Sequence, residues 1–395
     1  MPNGTCECFQ PLDDKWEYGA DTEIARAISE DINASYSQSQ HESTSALCGR
    51  CKSLELWRPQ CNFSDTPADL KTKSDYCALC SILYRASSGH ISTKHTNLNF
   101  SRVGSSIACS ALLDQPILSL YTLPLFEKAL PGIQVGYPSL PEHGSTLSTN
   151  IMREWIHSCN RNHSCVSEVD TFLPTRVLYV GDDSQENEES GSVRLVCFAR
   201  GHNTSGQYLA LSHRWGSPKI HRMFRTLKSN IESLKKCIMM ADLPRTFQHA
   251  VQIARSLGVR YLWIDSLCIV QDDEEDWNHE SRLMEQVFSS AYATIAATCA
   301  DGTEDGFLKR RPRRPCVVMA KGPTPYFICE AIDNFYDDVD QADLNNRGWV
   351  LQERALSRRT IHFTERQCYW ECGGGVRCET LTRMKKYGNM NATLI

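Results

Sequence analysis

The chain has 395 residues, 42 of them basic and 47 acidic, for a net charge of −5. That length buries a sizeable core without cross-links, and so mild an acidic balance gives no global reason to bind nucleic acid or a membrane surface. No uncharged apolar run approaches the ~18 residues of a membrane helix, and the first twenty residues hold no apolar signal segment. A cytoplasmic protein without a membrane span is therefore expected. In a reducing compartment its nineteen cysteines point to metal or to burial rather than to disulfides. Seven Asn-x-Ser/Thr triplets are then read as chance.

Residues 1–46 are polar and predict a loosely ordered leader. Residues 47–180 form a Cys/His-rich region with scattered helical patterns, such as Asp75 to Arg85. Residues 181–204 hold an apolar-free acidic linker, GDDSQENEESG, and a short strand, Val193 to Phe198. From 205 to 372 strand and helix signals alternate, and 373–395 is a tail. Tyr208 to Leu211 is a short apolar strand. Asp242-Leu243-Pro244 starts a helix whose stripe is Phe247, Ala250, Val251, Ala254 and Leu257, with Gly258 as its stop. Val259 to Ile264 is the next strand. Leu283, Met284, Val287, Phe288 and Ala291 form a second helix stripe, and Ala293 to Thr298 a further strand. This rhythm predicts an α/β domain with a parallel sheet flanked by helices. Arg359 to Thr364 and Gln367 to Trp370 predict a C-terminal β-hairpin.

Cys48-x2-Cys51 and Cys77-x2-Cys80 are two pairs of the kind that closes a tetrahedral structural zinc site, leaving no position for substrate. The competing reading is four buried free thiols. Cys159-x3-His163-x-Cys165 supplies three more candidate ligands whose use is left open, as are the roles of Cys6, Cys8 and Cys61. Where the strand ending at Ile264 stops, Asp265, Ser266 and Cys268 follow, then an acidic loop and a helix with Trp277 and Glu280. Open α/β sheets build ligand sites at such carboxyl ends. Ser212, His213 and Arg214 stand at the end of the Tyr208 strand in the same way; a plain strand-ending turn with Trp215 packed beneath is the alternative. Glu353 and Arg354 belong to a further helix start, where a solvated face explains them equally well. The basic run Lys309 to Arg314 reads as exposed loop charge or as a nuclear signal. Without aromatic interleaving, it makes a zinc-dependent nucleic-acid regulator the weakest function.

Three segments, YLALSHRWG (208–216), LPRTFQHAVQIARSLGVRYLWIDSLCIVQDDEEDWNHESRLMEQVFSSAYATIAAT (243–298) and RGWVLQERALSRRTIHFTERQCYWEC (347–372), together resemble the fungal heterokaryon incompatibility (HET) domain. The first departs from the family's usual S-Y-C-W-G in having Ser212-His213-Arg214-Trp215-Gly216. The upstream CxxC pairs, Trp155-x3-Cys159-x3-His163 and Leu173-Pro174-x-Arg176 resemble the lead-in often found before that domain. The resemblance implies non-self recognition and programmed cell death, acting by self-association or with partner incompatibility proteins. It also implies similarity to TIR domains, with their flavodoxin-like parallel sheet and, in many, an NAD-cleaving glutamate. On that reading Glu280 is the foremost catalytic residue, with Asp265 and Glu353 beside it, and Ser212, Arg214 and Trp277 bind the nucleotide. Glu280 is expected to be partly exposed, its acidity raised by the helix N-terminus. A signalling module that only assembles with partners is the alternative.

Overall fold

The computed structural model describes Glu30, residues 46–88, 97–112, 115–122, 126, 129–130, 132–136, 138, 140–163, 165, 172–181, 191–201, 204–221, 223–311, 314–346, 348–381 and 383–384. Apart from Glu30, the expected leader through residue 45, with Cys6 and Cys8, lies outside the described residues, as do most of the acidic linker, Arg347 and most of the tail. The chain divides into two compact units, one of Met1–Pro141, Pro312–Asp333 and Arg377–Ile395, the other of Glu142–Arg311 and Asn334–Val376.

The first unit contains helices α1 (Gly49–Ser53), α2 (Pro67–Ser74) and α3 (Ala78–Ser88) and a seven-stranded sheet. Strands β1 (Asn62–Asp65), β2 (Leu98–Val103), β3 (Ser106–Cys109) and β4 (Gln115–Thr122) follow one another as antiparallel neighbours. They continue into β13 (Thr324–Glu330) and β12 (Cys316–Lys321), and β5 (Gln134–Val135) pairs parallel with β4. The core joins Leu79, Ile82 and Leu83 of α3 to Phe100, Leu118, Leu120, Tyr326 and Ile328 of the strands. Helical patterns alone were expected before residue 180. The sheet goes unseen because its strands are short and its last two come from beyond residue 315.

The second unit is built on a mixed sheet. Within this unit its order runs β15 (Cys368–Cys372), β14 (Arg359–Phe363), β11 (Ala293–Ala296), β8 (Tyr208–Ser212), β10 (Tyr261–Trp263), β6 (Arg176–Tyr179), β7 (Ser192–Cys197), β9 (Ile238–Met239). The helices are α4 (Thr146–Asn162), α5 (Ile231–Lys236), α6 (Arg245–Ser256), α7 (Asp265–Cys268), α8 (Glu274–Ser290) and α9 (Gly348–Leu356). β10, β8, β11 and β14 are mutually parallel, whereas β6, β7, β9 and β15 join antiparallel. The expected parallel sheet is thus corrected to a mixed one in which antiparallel pairings outnumber parallel ones. A buried apolar run does not encode the direction of its neighbour, and both edges of the parallel strands are extended by antiparallel strands. Every residue of β8, β11, β14 and β15 is buried, as strands covered on both faces require. The helix predicted after Pro244 starts at Arg245 and buries Phe247, Ala250, Val251 and Ala254, with Gly258 at φ +73° just past its end. The hairpin predicted at the C-terminus is β14–β15. Among the described residues no helix is long and apolar enough to cross a membrane.

Candidate functional site

β8 runs from Tyr208 to Ser212, and its carboxyl end is where the second unit gathers polar side chains. Ser212 Oγ donates to Glu353 Oε2 at 2.6 Å, and both residues are buried, Glu353 being 8% exposed. Ser212 also pairs in register with Ala296 at the end of β11. Arg214 reaches Asp301 at 2.8 Å and Asp343 at 3.2 Å. Trp215 donates its indole N–H to Asp265 Oδ2 at 2.8 Å, and His213 Nδ1 lies 3.9 Å from Oδ1 of the same carboxylate. The backbone N–H of Ser266 donates to Asp265 Oδ1 at 2.7 Å, while the Ser266 hydroxyl is buried without a hydrogen-bond partner. Ser266, Trp215, Phe224 and Thr303 line a narrow cleft. Gly216 closes the turn at φ +80°, and a Cβ there would meet the His221 ring at 2.3 Å. Trp215 therefore does more than pack beneath a turn, because it fixes Asp265.

Asp265 and Glu353 thus meet the same strand end, through Trp215 and Ser212. Glu280 does not share these partners. It is 2% exposed, and its carboxylate lies 3.5 Å from Arg176, which also pairs with Asp276 and donates to the Cys268 carbonyl at 2.6 Å. Burial raises the Glu280 carboxyl above its usual range, with Arg176 opposing only in part. Both expectations for Glu280, partial exposure and heightened acidity, are corrected. α8 begins at Glu274, so Glu280 is in the second turn, beyond the reach of the helix terminus. Trp277 lies on the same helix and is 45% exposed.

The sequence reading missed a buried cluster across the hairpin. Arg354 makes a two-pronged pair with Glu371 at 2.9 and 3.2 Å, and His362 Nε2 is 3.0 Å from the same carboxylate. Burial works to raise Glu371, but His362 and Arg354 prevail and hold it well below the carboxylate range. Glu371 and His362 sit among apolar residues in strands buried on both faces, and polar residues there are the signal that they are paired. The basic run also proves engaged among its described members. Lys309 pairs with Glu365, Arg311 is buried against His143, and Arg314 donates to the Glu330 carbonyl.

In the first unit the two CxxC pairs meet. Cys48, Cys51, Cys77 and Cys80 place one sulfur each within 4.8 Å of the others, and could hold a metal ion such as zinc. Each pair brackets a helix start, α1 or α3, and i,i+3 spacing there puts both sulfurs on one face. The Cys48–Cys80 and Cys51–Cys80 separations are 3.9 and 3.5 Å; a Zn–S bond of ~2.3 Å sets tetrahedral sulfurs ~3.8 Å apart. Arg50 donates to Cys51 and Cys80 and pairs with Asp65 at 2.8 Å, supplying a cation beside four prospective thiolates. Burial pushes the Cys80 thiol up to about 12; a bound metal ion reverses that by taking the thiolate.

Residues 208–353 match the family model described as Heterokaryon incompatibility protein (HET). Heterokaryon incompatibility protein 6, OR allele, from Neurospora crassa, is 31% identical over 94 residues, which cover 22% of this chain and 14% of that protein. The chain thus covers about one seventh of that relative's length. No solved structure matches. The family match and the relative both support a HET domain in this segment.

Proposed function

We propose that this chain acts in fungal heterokaryon incompatibility, as a cell-death effector whose HET domain works on a nucleotide such as NAD at the carboxyl end of β8. The observation that carries the placement is the Ser212–Glu353 hydrogen bond. In chain order the four parallel strands stand second, first, third, fourth across the sheet. In open sheets of that order the ligand crevice opens between the first and third strands, here β8 and β11. Ser212, Arg214 and Glu353 gather at that crevice, with Asp265 fixed next to it by Trp215. An ionised Glu353 stabilises the positive charge that develops on the ribose as the nicotinamide bond breaks, and the unpartnered Ser266 hydroxyl offers a contact to a sugar hydroxyl. Glu280, held by Arg176, supports the fold behind this edge. Four cysteines bind one structural zinc in the first unit. The effector acts through self-association or with partner incompatibility proteins.

A non-enzymatic assembly module is the second reading. The narrowness of the cleft beside Trp215 and Ser266 favours it. Concentrated full-length protein incubated with NAD and assayed for nicotinamide, alongside a killing assay in fungal cells, separates the two. We expect wild type to release nicotinamide and Glu353→Gln to lose about 100-fold or more in rate, with killing lost in parallel. Killing by a wild type that never releases nicotinamide replaces the enzyme with the assembly module.

A further inference from the structure

We propose a second metal site in the other unit, in which Cys159, His163, Cys165 and Cys372 hold one structural zinc ion that fastens the end of α4 to the end of the β14–β15 hairpin. One donor atom from each of the four lies within 4.8 Å of all the others. Cys159 sits in the last turn of α4, His163 is its C-cap, and Cys165 follows two residues on. Cys372 is the last residue of β15, more than two hundred positions away in sequence. Three sulfurs and one imidazole form a closed tetrahedral set for zinc, which prefers soft thiolates with nitrogen.

Three further observations fit a metal better than free thiols packed as small apolar groups. The Gly374 N–H donates to Cys372 Sγ at 3.3 Å, a contact that favours thiolate, and His163 Nδ1 faces the same sulfur at 3.4 Å. The turn after β15 is glycine because the ligands occupy the space of its side chains. A Cβ on Gly374 would lie 2.0 Å from the His163 ring, and one on Gly373 would lie 3.2 Å from Cys165 Sγ. Arg359, whose buried Nε has no hydrogen-bond partner, places a cation beside Cys159 and donates through Nη2 to Asn160 at 2.6 Å. When the ion binds, three thiol protons leave. One divalent cation with three thiolates and a neutral imidazole carries a net charge of −1, which Arg359 balances.

The test is the metal content of full-length protein purified without chelator, measured by mass spectrometry. With the Cys48 site also filled, wild type carries two zinc ions per chain. Cys372→Ser and His163→Ala each lose one equivalent, whereas Cys48→Ser/Cys51→Ser loses the other and leaves this one. X-ray absorption on wild type guards against a variant that fails to fold: seven sulfurs and one nitrogen over two zincs is the expected shell. Wild-type metal content in a folded Cys372→Ser, or a Cys159–Cys372 disulfide in the intact mass of metal-free protein, overturns the proposal. If the Cys48/Cys51 double variant loses nothing, only the first zinc site fails.

Discussion

Arg176 holds two buried carboxylates, Asp276 and Glu280, from a strand position one hundred residues upstream of the first. Removing it leaves both uncompensated, and breaking a buried pair costs about 3–5 kcal/mol. Arg176→Gln should therefore lower unfolding stability by that order in a denaturant titration, while Glu275→Gln at the exposed Arg200 pair should change it by under about 1 kcal/mol. One histidine and one carboxylate set the acid limit. Burial, helped by Arg245, lowers His249 to about 4, and its Nδ1 accepts the Phe307 and Leu308 N–H groups at 3.0 Å, which needs the unprotonated ring. The folded value lies below the unfolded ~6.5. Its contribution is therefore full above pH ~6.5 and is lost as pH falls toward 4. Glu371, also depressed in the fold, keeps its contribution above ~4.3 and loses it only below that. Melting temperature should thus fall in two stages on acidification, and His249→Gln should flatten the first stage. An unchanged slope between pH 6.5 and 4 in that variant would remove His249 from the account.

At the scale of elements, α8 shows how a correct periodicity hides a site. Val287, Phe288 and Ala291 are buried as the apolar stripe predicts. The same face runs back through Glu280 and Asp276, which look like solvated acidic residues until Arg176 is seen against them. The turn after β8 is a second case. Gly216 has φ +80° and lies against His221, so Gly216→Ala combines a left-handed backbone, costing about 1–2 kcal/mol, with a ring that must move. We expect a lower melting temperature and, because this turn carries Trp215 toward Asp265, reduced activity at the β8 edge. A variant with wild-type melting and wild-type nicotinamide release or killing would show the turn to be tolerant.

For the molecule as a whole, the two units are interleaved in sequence, since residues 312–333 belong to the first unit and the segments on either side to the second. The first unit gathers four cysteines from two helix starts. Metal removal should be felt there. Treating the full chain with a strong chelator should expose the α1 and α3 amides to hydrogen exchange, and re-added zinc should restore protection. Exchange that is unchanged after demonstrated metal loss would make the ion dispensable for that fold.

Local elements and ligand-bearing pairs are legible in the chain. The Phe247–Ala254 stripe, the Tyr208 and Tyr261 strands, the hairpin at 359–372 and the two CxxC spacings are properties of neighbouring residues, so period and turn chemistry read them directly. Three segment resemblances pointed to the HET domain that the family match supports. The folded arrangement alone set strand direction, the antiparallel strands at both edges, and the borrowing of β12 and β13 by the first unit. It alone set the partner of each carboxylate, placing Glu280 on Arg176 and Glu353 on Ser212. It alone brought Cys372 to Cys159. These are contacts between residues far apart in sequence. A side chain's burial and charge state depend on what stands opposite it, and no local pattern carries that information.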